Sequence, residues 1–156
     1  MSKKKKPLCN LFVEFDHPPT KEREVEHTLM RGNKVIKKWR TTPKKTTKAV
    51  DTIQKQVIRL FDNPDSDSVY KLKVVALFPR PVRLLKKNVT SNLLVGKVPD
   101  WDNIGKVVSD AFNKIIWKDD AQVAHSIVVK RFVKMKNGIW ETPGIKIKVW
   151  ELGKKW

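Results

Sequence analysis

Asp100 and Asp102 stand one residue apart in the run Pro99-Asp100-Trp101-Asp102-Asn103-Ile104-Gly105-Lys106. In extended backbone that spacing turns both carboxylates to one face, where they can offer hard oxygen ligands to a divalent cation. The stretch from Pro99 to Gln122 holds five of the sixteen acidic residues (Asp100, Asp102, Asp110, Asp119 and Asp120) and three bases, in a chain of net charge +18. A chain this basic gains little stability from gathering its carboxylates. One chemistry such a set could serve is phosphodiester hydrolysis, which needs an activated water and neutralisation of charge developing on the phosphate. Mg²⁺ supplies both. Lys106 can add electrostatic stabilisation of the transition state.

These residues need a scaffold, and the local pattern predicts one. Ile104, Val107, Val108, Ala111, Phe112 and Ile115 recur at the spacing of a buried helix face. Asp102 is placed at the expected N-cap, with Lys106 and Asp110 on the polar face as an i, i+4 ion pair. Trp101 is expected to point the other way, into the core. Asn103 either hydrogen-bonds across the site or opens the helix. The chain returns to acid at Lys118-Asp119-Asp120-Ala121-Gln122, where Asp119 is expected to support the site or the structure rather than bind directly.

Charge sets the partner class. Lys and Arg number 34 against 16 acids, with a pI near 10.1, which points to a polyanion and above all to nucleic acid. No apolar run approaches the roughly 18 residues that cross a bilayer, and the start Met1-Ser2-Lys3-Lys4-Lys5-Lys6-Pro7 lacks the apolar core of a signal peptide. Cys9 is the single cysteine, and a cytoplasmic location is expected, on the nucleoid when DNA is bound. His17, His27 and His125 show no zinc spacing with it.

Along the chain, residues 1–7 read as a mobile basic arm whose Lys3, Lys4, Lys5 and Lys6 can lie along phosphates. Residues 8–152 form one domain and 153–156 a frayed tail. Leu8 to Phe15 is a strand. Gly32-Asn33 closes a hairpin between Thr28–Arg31 and Lys34–Trp39, rich in Lys and Arg. Thr42 caps a helix with Pro43 as its first residue, a core stripe of Val50, Ile53, Val57, Leu60 and Phe61, and a stop at Asn63-Pro64. Lys44, Lys45, Lys48 and Lys55 occupy its opposite face. Val69 to Phe78 is the clearest strand. The loop from Val82 to Val98 carries Lys86, Lys87 and Lys97 toward Asp100. Val123 to Val133 is a strand, and Asn137-Gly138 turns it back through Gly144 to Trp150. The expected class is a single α+β domain, a mixed or mostly antiparallel sheet packed with two main helices.

The two acidic motifs also carry a family resemblance. Pro99-Asp100-x-Asp102-Asn103-x-x-Lys106, then Asp110-Ala111-Phe112-Asn113, then Lys118-Asp119-Asp120-x-Gln122-Val123 resembles the signature of RusA-type Holliday junction resolvases. The resemblance implies that Asp100, Asp102 and Asp120 bind Mg²⁺ (Mn²⁺ being an acceptable substitute), that Lys106 is the active-site lysine, and that Asp120 folds back beside the first motif. It further implies a homodimer that nicks four-way DNA junctions symmetrically in recombination and repair. Family members often have a Pro-rich turn followed by a basic segment, which His17-Pro18-Pro19 and Thr20 to Arg23 loosely match. Lys21 and Arg23 are thus phosphate candidates, though diluted by Glu22, Glu24 and Glu26. Two rivals stand beside this reading: a non-catalytic basic nucleic-acid-binding protein, and a nuclease for other branched or single-stranded DNA.

Overall fold

The computed structural model describes residues 6–58, 60, 61, 64, 67–86 and 88–154. It is a single α+β unit built on a mixed four-stranded sheet. We number the sheet strands β1 (Cys9–Glu14), β4 (Ser68–Phe78), β5 (Val123–Phe132) and β8 (Gly144–Lys154); their order is β1-β8-β4-β5. β8 runs antiparallel to both β1 and β4, whereas β4 and β5 are parallel. Two hairpins stand outside the sheet: β2 (Val25–Arg31) with β3 (Lys34–Thr41), and the short pair β6 (Met135–Lys136) and β7 (Ile139–Trp140).

Alternation explains the central strands. Tyr70, Leu72, Val74, Ala76 and Phe78 on β4, and Ile145, Ile147 and Val149 on β8, are all buried against the helices. Helix α1 (Lys44–Val57) covers this face with Thr46, Ala49, Ile53 and Val57. Its buried stripe is therefore displaced from the predicted one, because the helix ends at Val57 and Leu60 is 65% exposed beyond it. Pro43 takes the N-cap position and Thr42 lies outside, one residue from the expected arrangement; Asn63 falls outside the described residues. Helix α2 (Trp101–Phe112) buries Ile104, Val107, Val108, Ala111 and Phe112, as its periodicity requires.

The hairpin at Asn137-Gly138 is real but local. β8 does not return along β5; it crosses the sheet to lie between β1 and β4, where its alternating apolar residues are buried on one face. Gly153 and Lys154 pair with Val69 and Ser68, so the strand extends where a frayed tail was expected.

Two buried arginines fix the loops at one end of the sheet. Arg80 donates to the backbone carbonyls of Val133, Leu84, Asn88 and Ser91, with its guanidinium 5.5 Å from the Trp140 ring. Arg131 makes a two-pronged contact with Glu141, at 2.5 and 2.8 Å, and Lys146 reaches the same carboxylate at 3.0 Å. Arg131 holds the Glu141 carboxyl down to about 2 from the ordinary 4.5. A depressed carboxyl stabilises the fold fully above its ordinary pKa, and that share is lost as pH falls from about 4.5 toward 2. Glu141→Gln should therefore cost about 2–3 kcal/mol at neutral pH, since it strands a largely buried guanidinium. Urea unfolding at pH 7 and pH 3 should show the gap between wild type and variant narrowing at the lower pH.

Candidate active site at the carboxyl ends of β4 and β5

β4, α2 and β5 form a parallel crossover, so α2 runs antiparallel to both strands. Its first turn therefore lies at the carboxyl ends of β4 and β5. Two observations place it there: Lys130, near the end of β5, donates through Nζ to the carbonyls of Lys97 and Pro99 at 2.7 and 2.9 Å; and a Cβ on Gly105 would meet Val128 at 3.3 Å. Lys130 thus ties down the approach to the acidic pair. Sequence reasoning passed over it, because Lys130 and Lys134, opposite Ile127, Val129 and Val133 on the strand, look like a solvated face.

Asp100 occupies the N-cap position, with φ −67° and ψ 147°, but its side chain makes no capping bond. The helix starts at Trp101, two residues before the expected cap at Asp102 would have allowed. The carboxylate of Asp100 is exposed and not engaged in closing the helix. Asp102 sits in the first turn, where its Oδ2 accepts from Lys106 Nζ at 3.0 Å. Lys106 holds the Asp102 carboxyl below the usual carboxylate range, so it stays ionised at neutral pH. Trp101 is 61% exposed rather than in the core; on a helix, unlike a strand, it need not oppose its neighbours.

The polar face of α2 is used differently from the prediction. Asp110 pairs with Lys21 Nζ at 2.8 Å, not with Lys106. Lys21 also donates its backbone N–H to the carbonyl of Asn103 at 3.2 Å. The segment after the Pro-rich turn is laced along α2 by one residue, and the Lys21 charge is matched by Asp110. Arg23 remains exposed, as do Lys6, Lys86 and Lys97. Lys3, Lys4, Lys5 and Lys87 lie outside the described residues.

Asp120 is at the other end. It opens a short 3-10 turn (Asp120–Gln122) that feeds into the start of β5. Gln122 Nε2 donates to the Ser68 carbonyl at the start of β4. Asp119 is the N-cap of this turn: its Oδ1 accepts from Ala121 N at 2.8 Å, while Gln122 Oε1 accepts from the N–H groups of Lys118 and Asp119. Asp119-x-x-Gln122 is a capping box, a pattern legible in the sequence, and it assigns Asp119 a structural task. β4 spans eight residue steps from Tyr70 to Phe78, about 25 Å of extended chain. Within one chain, Asp120 is thus separated from Asp100 and Asp102 by most of the length of the sheet. No three His, Cys, Asp or Glu side chains gather as a metal site among the described residues. The expectation that Asp120 folds back beside the first motif does not hold inside a single chain, because a parallel crossover delivers the end of its helix to the opposite end of the strands.

Asp100 and Asp102 by themselves suit a hard cation in ligand type, and they supply two of the three expected carboxylates. The chain as a whole carries a net charge of +18, and no described helix is long and apolar enough to cross a membrane. Among curated proteins, none matches this chain. The family profile described as Endodeoxyribonuclease RusA, however, matches residues 19–149, which include the crossover, both acidic motifs and the first half of β8. That span is most of the 156-residue chain, and the protein belongs to the RusA endodeoxyribonuclease family.

Proposed function

We propose that this endodeoxyribonuclease is a Mg²⁺-dependent enzyme that resolves four-way DNA junctions as a homodimer, by paired symmetric nicks. The observation that carries the reading is the pair Asp100 and Asp102 at the carboxyl ends of two parallel strands, beside Lys106, in a chain of net charge +18. Ligands of open α/β units bind at such strand ends. Mg²⁺ held there would lower the pKa of a bound water and neutralise a phosphate oxygen. Lys106 exchanges Asp102 for phosphate when substrate arrives, and the lysine-rich face of α1 and the β2–β3 hairpin attract the DNA arms.

The separation of Asp120 from the other two carboxylates supports a dimeric site. In a two-fold assembly each surface meets its counterpart, so the Asp120 end of one protomer can lie against the Asp100 end of the other. Each of two equivalent sites then takes Asp100 and Asp102 from one chain and Asp120 from its partner. A junction is itself two-fold symmetric, and paired cuts in one encounter require two sites in fixed relation.

The test is a cleavage assay on a four-way junction, a fork, a linear duplex and a single strand, each with Mg²⁺ and with EDTA. We expect Mg²⁺-dependent cutting of the junction at least tenfold faster than of the others. Equal cutting of fork or single strand identifies a broader nuclease. Binding of the junction with no cutting in either Mg²⁺ or Mn²⁺ identifies a non-catalytic DNA-binding protein.

A further inference from the structure

A groove of about 550 Å³ opens at the same end of the sheet as Asp100, lined by Phe78, Phe132, Val95, Leu94, Arg83 and Lys97 among others. Phe78 and Val95 are buried in its floor and Phe132 is half-buried. Arg83 and Lys97 are exposed, and none of the lining residues is acidic. Both walls are fixed. On one side Val95 N donates to Lys130 O at 3.0 Å and Phe132 N to Leu93 O at 2.9 Å, so residues 93–95 act as an added edge against β5. On the other, Arg80 holds the loop through Leu84, Asn88 and Ser91. Lys97 and Val98 then lead directly into Pro99 and Asp100.

We infer that this groove receives one unstacked nucleotide of the DNA, its base against the phenyl rings and its phosphate between Arg83 and Lys97. Apolar and aromatic surface flanked by cations, without a carboxylate, matches a nucleotide: a flat π-face carrying a negative charge. The volume is within the range of small-ligand sites. Continuity with Asp100 puts a phosphate neighbouring the captured base next to the acidic pair. Unstacking is least costly where pairing is already broken, as at a branch point or in a single strand. The groove therefore offers a structure-selective enzyme a means of sensing an unstacked base and setting its position relative to the cut. The inference rests on the chain acting on DNA, and its test separates the two.

Gly96 lines the groove, has open space around an added Cβ and lacks the left-handed backbone that would resist substitution. Gly96→Phe should fill the groove without unfolding the protein. Leu94→Ser, at a side chain 72% exposed, removes apolar surface and is safer still. The full chain is titrated in EDTA against junctions carrying a single abasic residue at each position around the branch point. A parallel series uses a fork and a single strand. We expect wild type to lose about tenfold in affinity at one abasic position, and both variants to bind the intact DNA about tenfold more weakly while losing that dependence. Loss of junction preference, with the abasic effect kept at an unpaired nucleotide, overturns the junction reading and sustains this one. An affinity indifferent to every abasic position, or variants that retain the wild-type dependence, overturns the inference. So does a Gly96→Phe protein that sediments as a monomer while keeping the dependence, because the groove would then be a contact between protomers.

Discussion

Asp102→Asn is expected to reduce junction cleavage by at least two orders of magnitude while leaving junction binding intact or tighter. An amide oxygen is a poorer ligand for Mg²⁺ than a carboxylate, so cation affinity falls. The helix survives, because Asp102 lies in its first turn rather than at the N-cap, and asparagine keeps the carboxylate's shape while losing the ion pair with Lys106. That pair is exposed and contributes little to stability. Removing it frees the Lys106 ammonium for phosphate, and one negative charge disappears from the place where the scissile phosphate must approach. Gel shift in EDTA and cutting in Mg²⁺, on the same preparations, separate the two effects. Asp119→Asn is the control: asparagine also caps well, so cutting should stay within a few fold of wild type. Near-wild-type cutting by Asp102→Asn would falsify its place at the cation.

Mixing two inactive variants should restore cutting. Asp102→Asn and Asp120→Asn protomers each spoil both sites of their own homodimers. In the mixed dimer, one site receives both substitutions and the other receives neither, provided that Asp120 acts across the interface. Co-refolding at equal ratio should yield half mixed dimers, each with one working site, and thus about a quarter of the wild-type number of sites. Because the surviving site works alone, the product should be a singly nicked junction, visible as one cut strand on a denaturing gel without resolution into linear duplexes. If each site is built within one chain, the mixture stays inactive. Asp100→Asn mixed with Asp102→Asn stays inactive under both arrangements and serves as the negative control.

Helix α2 was legible almost residue by residue, because burial of one face imposes a period that few other constraints disturb; its buried positions are those the spacing marks. β4 was equally plain, since strict alternation survives where one face is packed and the other is lined by Lys71 and Lys73. What sequence could not convey was which strands become neighbours. The Asn137-Gly138 turn implied a return along β5, yet β8 crosses to the other side of β4, where its buried face completes the core between β1 and β4. The same gap hid the distance between the acidic motifs. Their residue types identify them, but only the parallel direction of β4 and β5 decides that Asp120 and Asp100 lie at opposite ends of the strands within a chain. Local rules failed by omission at Asp119-x-x-Gln122 and at Lys130, and elsewhere because a charged face was read as a helix-internal ion pair when Lys21 came from outside to meet Asp110.

Arg80 has an implication for how this protein can change. A guanidinium that grips the carbonyls of Leu84, Asn88 and Ser91 reads the peptide backbone, which every residue carries, and ignores the side chains attached to it. The path of the loop is thereby uncoupled from most of its amino-acid identities. Exposed positions such as Val82 and Leu85 are open to drift, or to deliberate randomisation in a library, without loss of the loop's shape. Arg80 underwrites that freedom, and a rim that can vary on a fixed frame is where new preferences for DNA would most readily arise.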